Sequence, residues 1–242
     1  MDFFGELYLR STLPFLSESV TAREADYLAR VFADVPGPEP VADLGCGHGR
    51  HAARLQASGP LAGRVIGLER DALSLAMRRP GFPVVRGDLR ALPFREGSLS
   101  GAYAWYSTLF AFTDEEHVRI LREVARALRR GGLLVFHTVP HERLAASPGA
   151  AFQRTLPDGA VLEEASRFDV ATGRDEGRRT LTLRDGRVLS ASYAIRYYPL
   201  AELTALLEST GFSISWVHGG LDGEPLTRLS ADLIVGAVLR DA

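Results

Sequence analysis

Apolar residues recur at two different spacings along this chain of 242 residues, and the change of spacing divides it into segments. Thr21 stands three positions before Glu24, and Ala25, Leu28, Ala29 and Phe32 follow at helical spacing. The pattern predicts a helix over 21–34 opened by a capping box. Pro36-Gly37-Pro38-Glu39-Pro40 stops it, and the apolar run from Val41 to Leu44 reads as a strand that enters a glycine cluster. Strand-like and helix-like segments then alternate: 64–68 strand, 73–79 helix, 82–86 strand, 101–106 strand, 114–129 amphipathic helix and 133–139 strand. Alternation of this kind favours a parallel sheet with crossover helices.

Beyond residue 141 the pattern changes. Pro157-Asp158-Gly159, Thr172-Gly173 and Asp185-Gly186 are turn signals separating runs that alternate, such as Thr180-Leu181-Thr182-Leu183. This predicts an antiparallel insertion. Helical spacing returns over 199–209, and 212–217 and 233–239 supply two last strands.

Composition narrows the class without naming a function. Hydrophobic residues make up 46% and charged residues 24%, the balance of a packed domain. Formal net charge is -2, and every one of the 28 basic residues is arginine, with only isolated pairs such as Arg129-Arg130 and Arg178-Arg179. No basic block marks a nucleic-acid surface, so nucleic acid is not an expected partner. Cys46 is the single cysteine, which rules out an internal disulfide and a cysteine-built zinc site. No apolar run reaches the length of a membrane span, and the early acidic residues do not read as a secretory leader. The expectation is a cytoplasmic protein without a membrane partner, monomer or homodimer.

The most informative stretch is Val41-Ala42-Asp43-Leu44-Gly45-Cys46-Gly47-His48-Gly49-Arg50-His51. Glycines placed between a strand and a helix let a ligand approach the backbone, and the helix N-terminus behind them offers free N–H groups. A dinucleotide fingerprint needs G-x-G-x-x-G, whereas Arg50 stands where its third glycine belongs. The stretch instead resembles the first motif of the class I S-adenosylmethionine-dependent methyltransferases, an acid two positions before G-x-G-x-G, matched by Asp43, Gly45, Gly47 and Gly49. Glu69, ending Val65-Ile66-Gly67-Leu68, resembles the family's ribose-binding acid. Val85-Arg86-Gly87-Asp88-Leu89-Arg90-Ala91-Leu92-Pro93-Phe94 is similar to its G-D-x-x-x-L-P-F segment, in which the acid reads the adenine amino group. Glu123 to Leu134 and Leu206 to Phe212 resemble two architectural motifs of the same family. Ser100 stands where the family often has an acid opening the fourth strand.

The resemblance covers about 41–139 and 197–240. It implies an α/β, Rossmann-like, doubly wound and mostly parallel seven-stranded sheet with an antiparallel last strand, to which the antiparallel insertion is added. It implies S-adenosyl-L-methionine as cofactor, held by Asp43, Gly45, Cys46, Gly47, Gly49, Glu69, Arg70, Asp88, Leu89, Trp105 and Tyr106. The segments after the fourth and fifth strands face the transferred methyl, so His137 and His141 are candidate proton acceptors as well as substrate contacts. Tyr8, Arg10, Arg196 and Tyr198 are further substrate candidates, and Tyr197 ends the inserted strand beside them. The expected division is an N-terminal helical cap over 1–40, a methyltransferase domain over 41–141 and 197–242, and a substrate lid over 142–196. His48, His51, His137 and His141 do not follow a metal-binding spacing, and no metal is expected. The expected reaction is methyl transfer to an oxygen or nitrogen of a small-molecule acceptor. The alternatives are a cofactor-binding protein without turnover and a nicotinamide-dependent oxidoreductase.

Overall fold

The computed structural model describes residues 5–240. The alternating segments, with the short α4 (Ala72–Ala76) between the second and third strands, form a seven-stranded sheet built from β1 (Val41–Leu44), β2 (Val65–Glu69), β3 (Val84–Arg86), β4 (Leu99–Ala104), β5 (Leu128–Thr138), β10 (Phe212–His218) and β11 (Leu233–Leu239). Their spatial order is β10-β11-β5-β4-β1-β2-β3. β1 pairs in parallel with β2 and β4, and β11 runs antiparallel to both neighbours. The chain starts at the centre and reverses direction across β1 and β4, so the carboxyl ends of these strands bound a crevice.

Helices cover both faces because the central strands are apolar on both sides; all four residues of β1 and all six of β4 are buried. On one face, α2 (Glu18–Val31) and α3 (Arg50–Ala57) bring Tyr27, Leu28 and Leu55 against Val41, Val65 and Tyr103. On the other, α5 (Asp114–Ala127) and α7 (Leu200–Ser209) bring Leu121, Val124, Leu203 and Leu207 against Leu44, Leu134 and Phe136.

Element ends shift from the sequence pattern by a few residues, and three departures bear on the site. The N-cap of α2 is Ser17, whose hydroxyl accepts from the Val20 N–H at 3.2 Å, so the helix begins before Thr21 and places Thr21 and Glu24 inside it. β5 begins at Leu128 rather than after Gly131-Gly132, because the glycine pair is taken up within the strand. A short α1 (Glu6–Thr12) precedes α2 and was not legible in the spacing.

After β5 come α6 (His141–Ala146) and four antiparallel strands, β6 (Gly149–Thr155), β7 (Val161–Asp169), β8 (Arg174–Thr182) and β9 (Val188–Arg196). Gly159, Gly173 and Gly186 make the turns with φ of 84°, 61° and 82°. Leu7 of α1 is wholly buried against Leu162, Leu181 and Leu189 of this second sheet. Burial of one leucine contributes about 1.5–3 kcal/mol, so α1 is held chiefly by the insertion. Among the described residues no helix is long and apolar enough to cross a membrane.

Candidate functional site

The crevice is floored by the loop between β1 and α3. Gly45, Gly47 and Gly49 all have positive φ, at 72°, 56° and 80°. A Cβ at Gly45 would strike Thr108 and one at Gly49 would strike Phe82, whereas at Gly47 it would enter open space. Gly47 is therefore where the backbone is bare toward the crevice. Cys46 donates its N–H to the Leu68 carbonyl at 2.9 Å, and burial pushes its thiol up, out of thiolate chemistry.

Glu69 closes the next strand with a carboxylate fixed from behind. Its Oε2 accepts from the Gly47 N–H at 2.9 Å, and its Oε1 accepts from the N–H groups of Arg70 and Asp71 at 2.7 and 2.8 Å. Asp88 is held by Arg90, whose Nε and Nη2 donate to its two oxygens at 2.9 and 2.7 Å; those bonds keep its carboxyl at about 2. Arg70 Nη1 lies 4.0 Å from the same carboxylate. Leu89 is buried against Leu68 and Leu92. Arg90 was not singled out from the sequence; it also donates to Glu116 at 2.6 Å and covers the Phe112 ring, joining the Asp88 turn to α5.

Asp43 is placed differently from the other acids. Its side chain is buried inside the sheet, and that burial raises its carboxyl to about 7 against the opposing influence of Tyr103 and Arg50. It supports the loop from beneath and does not face the crevice.

The structure adds a cluster that the spacing hid. Glu24, read from the sequence as part of a cap, is buried and accepts from Arg50 Nη1, from His51 Nε2 at 3.0 Å and from the Tyr106 hydroxyl at 2.7 Å. Burial works against its charge, but the bonds from His51 and Arg50 outweigh it and hold the carboxyl at about 2. His51 itself is driven by burial to about 4 and so is neutral at pH 7, donating through Nε2. Arg50 spans the site, with its guanidinium over the Tyr106 ring at 5.2 Å and its buried Nη2 without a hydrogen-bond partner. Tyr8 of α1 lies within reach of the charges on Arg50, Glu24 and Glu69, which brings the N-terminal helix to the same place. Arg10 points away, exposed and paired with Glu6 at 2.8 Å, so it does not join the site.

Past β4 the backbone is strained: Tyr106 and Ser107 take φ of 54° and 58°, rare for residues with a side chain. His137 holds this turn. Its Nδ1 accepts the Tyr106 N–H at 3.3 Å, its Nε2 donates to Asp232 at 3.0 Å, and its ring stacks on Trp105 at 5.0 Å and 20°. Both ring nitrogens are engaged, so His137 has no lone pair for an acceptor proton, a correction to its expected catalytic role. His141 opens α6 and packs its edge against Phe168 at 5.2 Å. Arg196 and Tyr198 are corrected as substrate contacts: Arg196 is buried, donates to Glu202 at 2.7 Å and sits over Tyr198, while the Tyr198 hydroxyl pairs with His117 at 2.8 Å. They tie the end of the insertion to α7 and α5.

Residues 41–132 match the model of the family described as "Methyltransferase domain". The chain carries a class I S-adenosylmethionine-dependent methyltransferase domain. The methyltransferase is 27% identical over 209 residues to the cypemycin N-terminal methyltransferase of a Streptomyces species, covering 81% of each chain. It shares its fold with an S-adenosylmethionine-dependent methyltransferase from Clostridium acetobutylicum, at a TM-score of 0.77 and 12% identity over 97% of both chains. It shares it also with the sugar N-methyltransferase KedS8 from Streptoalloteichus, at a TM-score of 0.66 and 21% identity over 91% of this chain and 88% of that one. The site fits the cofactor on three counts: the methyltransferase leaves Gly47 open to a ligand, fixes Glu69 with lone pairs to spare, and aligns a buried arginine whose Nη2 is unmatched.

Proposed function

We propose that the enzyme methylates an amine nitrogen of a small molecule. The observation that carries this reading is the state of His137. A hydroxyl acceptor must lose a proton to a base as it attacks, and His137, the candidate histidine beside the Tyr106–Ser107 turn, has both nitrogens committed, while His141 packs on Phe168 of the insertion. An unprotonated amine already presents a lone pair and needs alignment rather than a base. The relatives support the same direction, one being described as an N-terminal methyltransferase and another as a sugar N-methyltransferase.

In this reading S-adenosylmethionine supplies a methyl group on a positively charged sulfur. Glu69 accepts from the ribose hydroxyls, Asp88 accepts from the adenine amino group, and Arg50 Nη2 meets the methionine carboxylate, with Tyr8 and Tyr106 enclosing it. The Trp105–His137–Asp232 stack keeps the Tyr106–Ser107 turn in place beside the reacting centre. Residues 1–40 act as a cap and 142–196 as a lid over the acceptor.

The test is transfer of tritiated methyl to a panel of amino sugars and peptides with free N-termini, each beside its hydroxyl analogue. Label in the amines and not in the hydroxyl analogues is expected, and the reverse refutes the reading. Hydrogen exchange tests the lid. Protection across 142–196 on adding S-adenosylhomocysteine with a turned-over acceptor supports it, whereas protection limited to Gly45, Glu69 and Asp88 moves specificity to the N-terminal segment.

A further inference from the structure

The inserted sheet has an inner face that changes character along its length. At one end it is apolar, with Leu162, Leu181 and Leu189 packed on Leu7. Strand alternation then brings Glu164, Asp175, Arg179 and Tyr193 to the same face, each half-buried.

Three of these four are tied to one another. Tyr193 lies across Gly177, where any Cβ would collide with its ring, and its hydroxyl donates to Glu164 Oε1 at 2.6 Å. Arg179 Nε donates to Glu164 Oε2 at 2.6 Å, and its Nη1 reaches the hydroxyls of Ser11 and Thr12 on α1 at 3.1 and 2.9 Å. The charge of Glu164 is therefore spent within the wall.

Asp175 differs. Among the described residues it has no ion pair: burial raises its carboxyl above its ordinary value, against the Ser166 hydrogen bond and with the like charge of Glu164. It lies at the end of β8 next to Arg174, whose Nη1 donates to the Phe112 carbonyl at 3.1 Å, so this end of the inserted sheet adjoins the segment after β4. Tyr197, which feels the charges of both Asp175 and Glu164, sits against Ser107 directly after β4. Tyr8 feels the charges of Arg50 and Glu69 in the crevice and of Arg179 in this wall, which links the two. A half-buried acid that lacks a counter-charge, in a wall whose other charges are paired, is unfavourable until a cation joins it.

We infer that Asp175 is a specificity-determining residue whose carboxylate receives the ammonium group of the acceptor and brings its nitrogen to the methyl. The inference rests on the amine reading above and deepens it. The ammonium docks on the Asp175 carboxylate and gives one proton to water, Asp175 serving to align the nitrogen. The nitrogen lone pair then forms the new N–C bond as the C–S bond breaks, its electron pair staying on sulfur. A neutral thioether and an N-methylammonium result.

The experiment takes an amine from the tritium panel that the wild-type enzyme methylates and compares Asp175→Asn with Asp175→Glu. A hydrogen bond to a charged group predicts that Asp175→Asn raises KM for the amine about tenfold or more. Asp175→Glu should recover much of that loss, and calorimetric affinity for S-adenosylhomocysteine should stay at the wild-type value in both. The hydroxyl analogue, used as a competitive inhibitor, should lose no affinity in Asp175→Asn. An unchanged KM for the amine in Asp175→Asn overturns the inference and leaves the amine reading standing. Methylation of hydroxyl analogues alone overturns both. Should Asp175→Asn fail to fold, as judged by circular dichroism, Asp175→Glu and Asp175→Ser carry the comparison, with Ser losing the amine and Glu keeping it.

Discussion

Replacing Glu24 with glutamine separates the structural work of the buried cluster from its work on the ligand. The carboxylate receives only donors: the Arg50 guanidinium, the His51 Nε2–H and the Tyr106 hydroxyl. A glutamine side chain presents one acceptor oxygen and an NH2 that faces those donors, and it leaves the Arg50 charge buried without its counter-ion. Breaking one side of a buried ion pair costs about 3–5 kcal/mol, which for a domain of this size lowers Tm by about 6–20 °C. Thermal unfolding followed by circular dichroism at pH 7.5 measures the loss. The double variant Glu24→Leu with Arg50→Met removes both charges and should recover most of the stability, since apolar replacements of similar volume are well tolerated at such sites. It should not recover affinity for S-adenosylhomocysteine, which calorimetry should show at least tenfold weaker. A Tm within about 2 °C of wild type in Glu24→Gln would show that the cluster is not the strut described here. Full cofactor affinity in the double variant would show that Arg50 is not a ligand.

Glu69→Gln should weaken S-adenosylhomocysteine by about 1.5–3 kcal/mol while the fold persists, and an unchanged calorimetric affinity would place the ribose elsewhere. Gly47→Val should abolish binding, because its side chain enters the open space above the loop and its φ of 56° is a strained one for valine; normal titration of a folded variant would refute this. The Asp43 carboxyl is raised from an ordinary value near 3.8 to about 7, so the folded state binds the extra proton and stability falls as pH rises from about 4 through 7. Asp43→Asn should therefore gain stability relative to wild type at pH 8 and lose that advantage near pH 4, with denaturant unfolding at both pH values as the check. His51 has the opposite sign: lowered to about 4, it contributes stability that is lost as pH falls from about 6.5 to 4, and His51→Gln should flatten the Tm profile across that window.

The glycine loop was legible because its constraints are local: three positive φ values within five residues demand glycine whatever surrounds them. The turns of the insertion were legible for the same reason, Asp158 accepting from the Ala160 N–H and Asp185 from the Arg187 N–H, both at 3.0 Å. Glu24 misled because S/T-x-x-E describes a cap and equally two residues of one helical face, and Ser17 took the capping role. His137 was legible as a residue of the fifth strand but not as a committed one. Its partner Asp232 is 95 positions away, and no local pattern reports that contact. Arg196 ends the last inserted strand and Tyr198 lies two residues past it, and the direction of their side chains depends on Glu202 and His117, which spacing cannot reveal. α1 was missed since it has seven residues and buries Leu7 against a sheet more than 150 positions later.

That long-range docking sets an order on how the molecule can assemble. Ser11 meets Arg179 across 168 positions of chain. Synthesis at roughly 5–20 residues per second therefore leaves the first helix without its partner for on the order of ten seconds or more. During that interval β1 to β5 can close around their own helices, and α1 stays loose until the inserted strands emerge and give Leu7 somewhere to go. The cleft is thus finished from its two extremes last. A chain stalled before residue 161 would carry the cofactor loop but lack β7 to β9, leaving Leu7 of the first helix without its apolar partners.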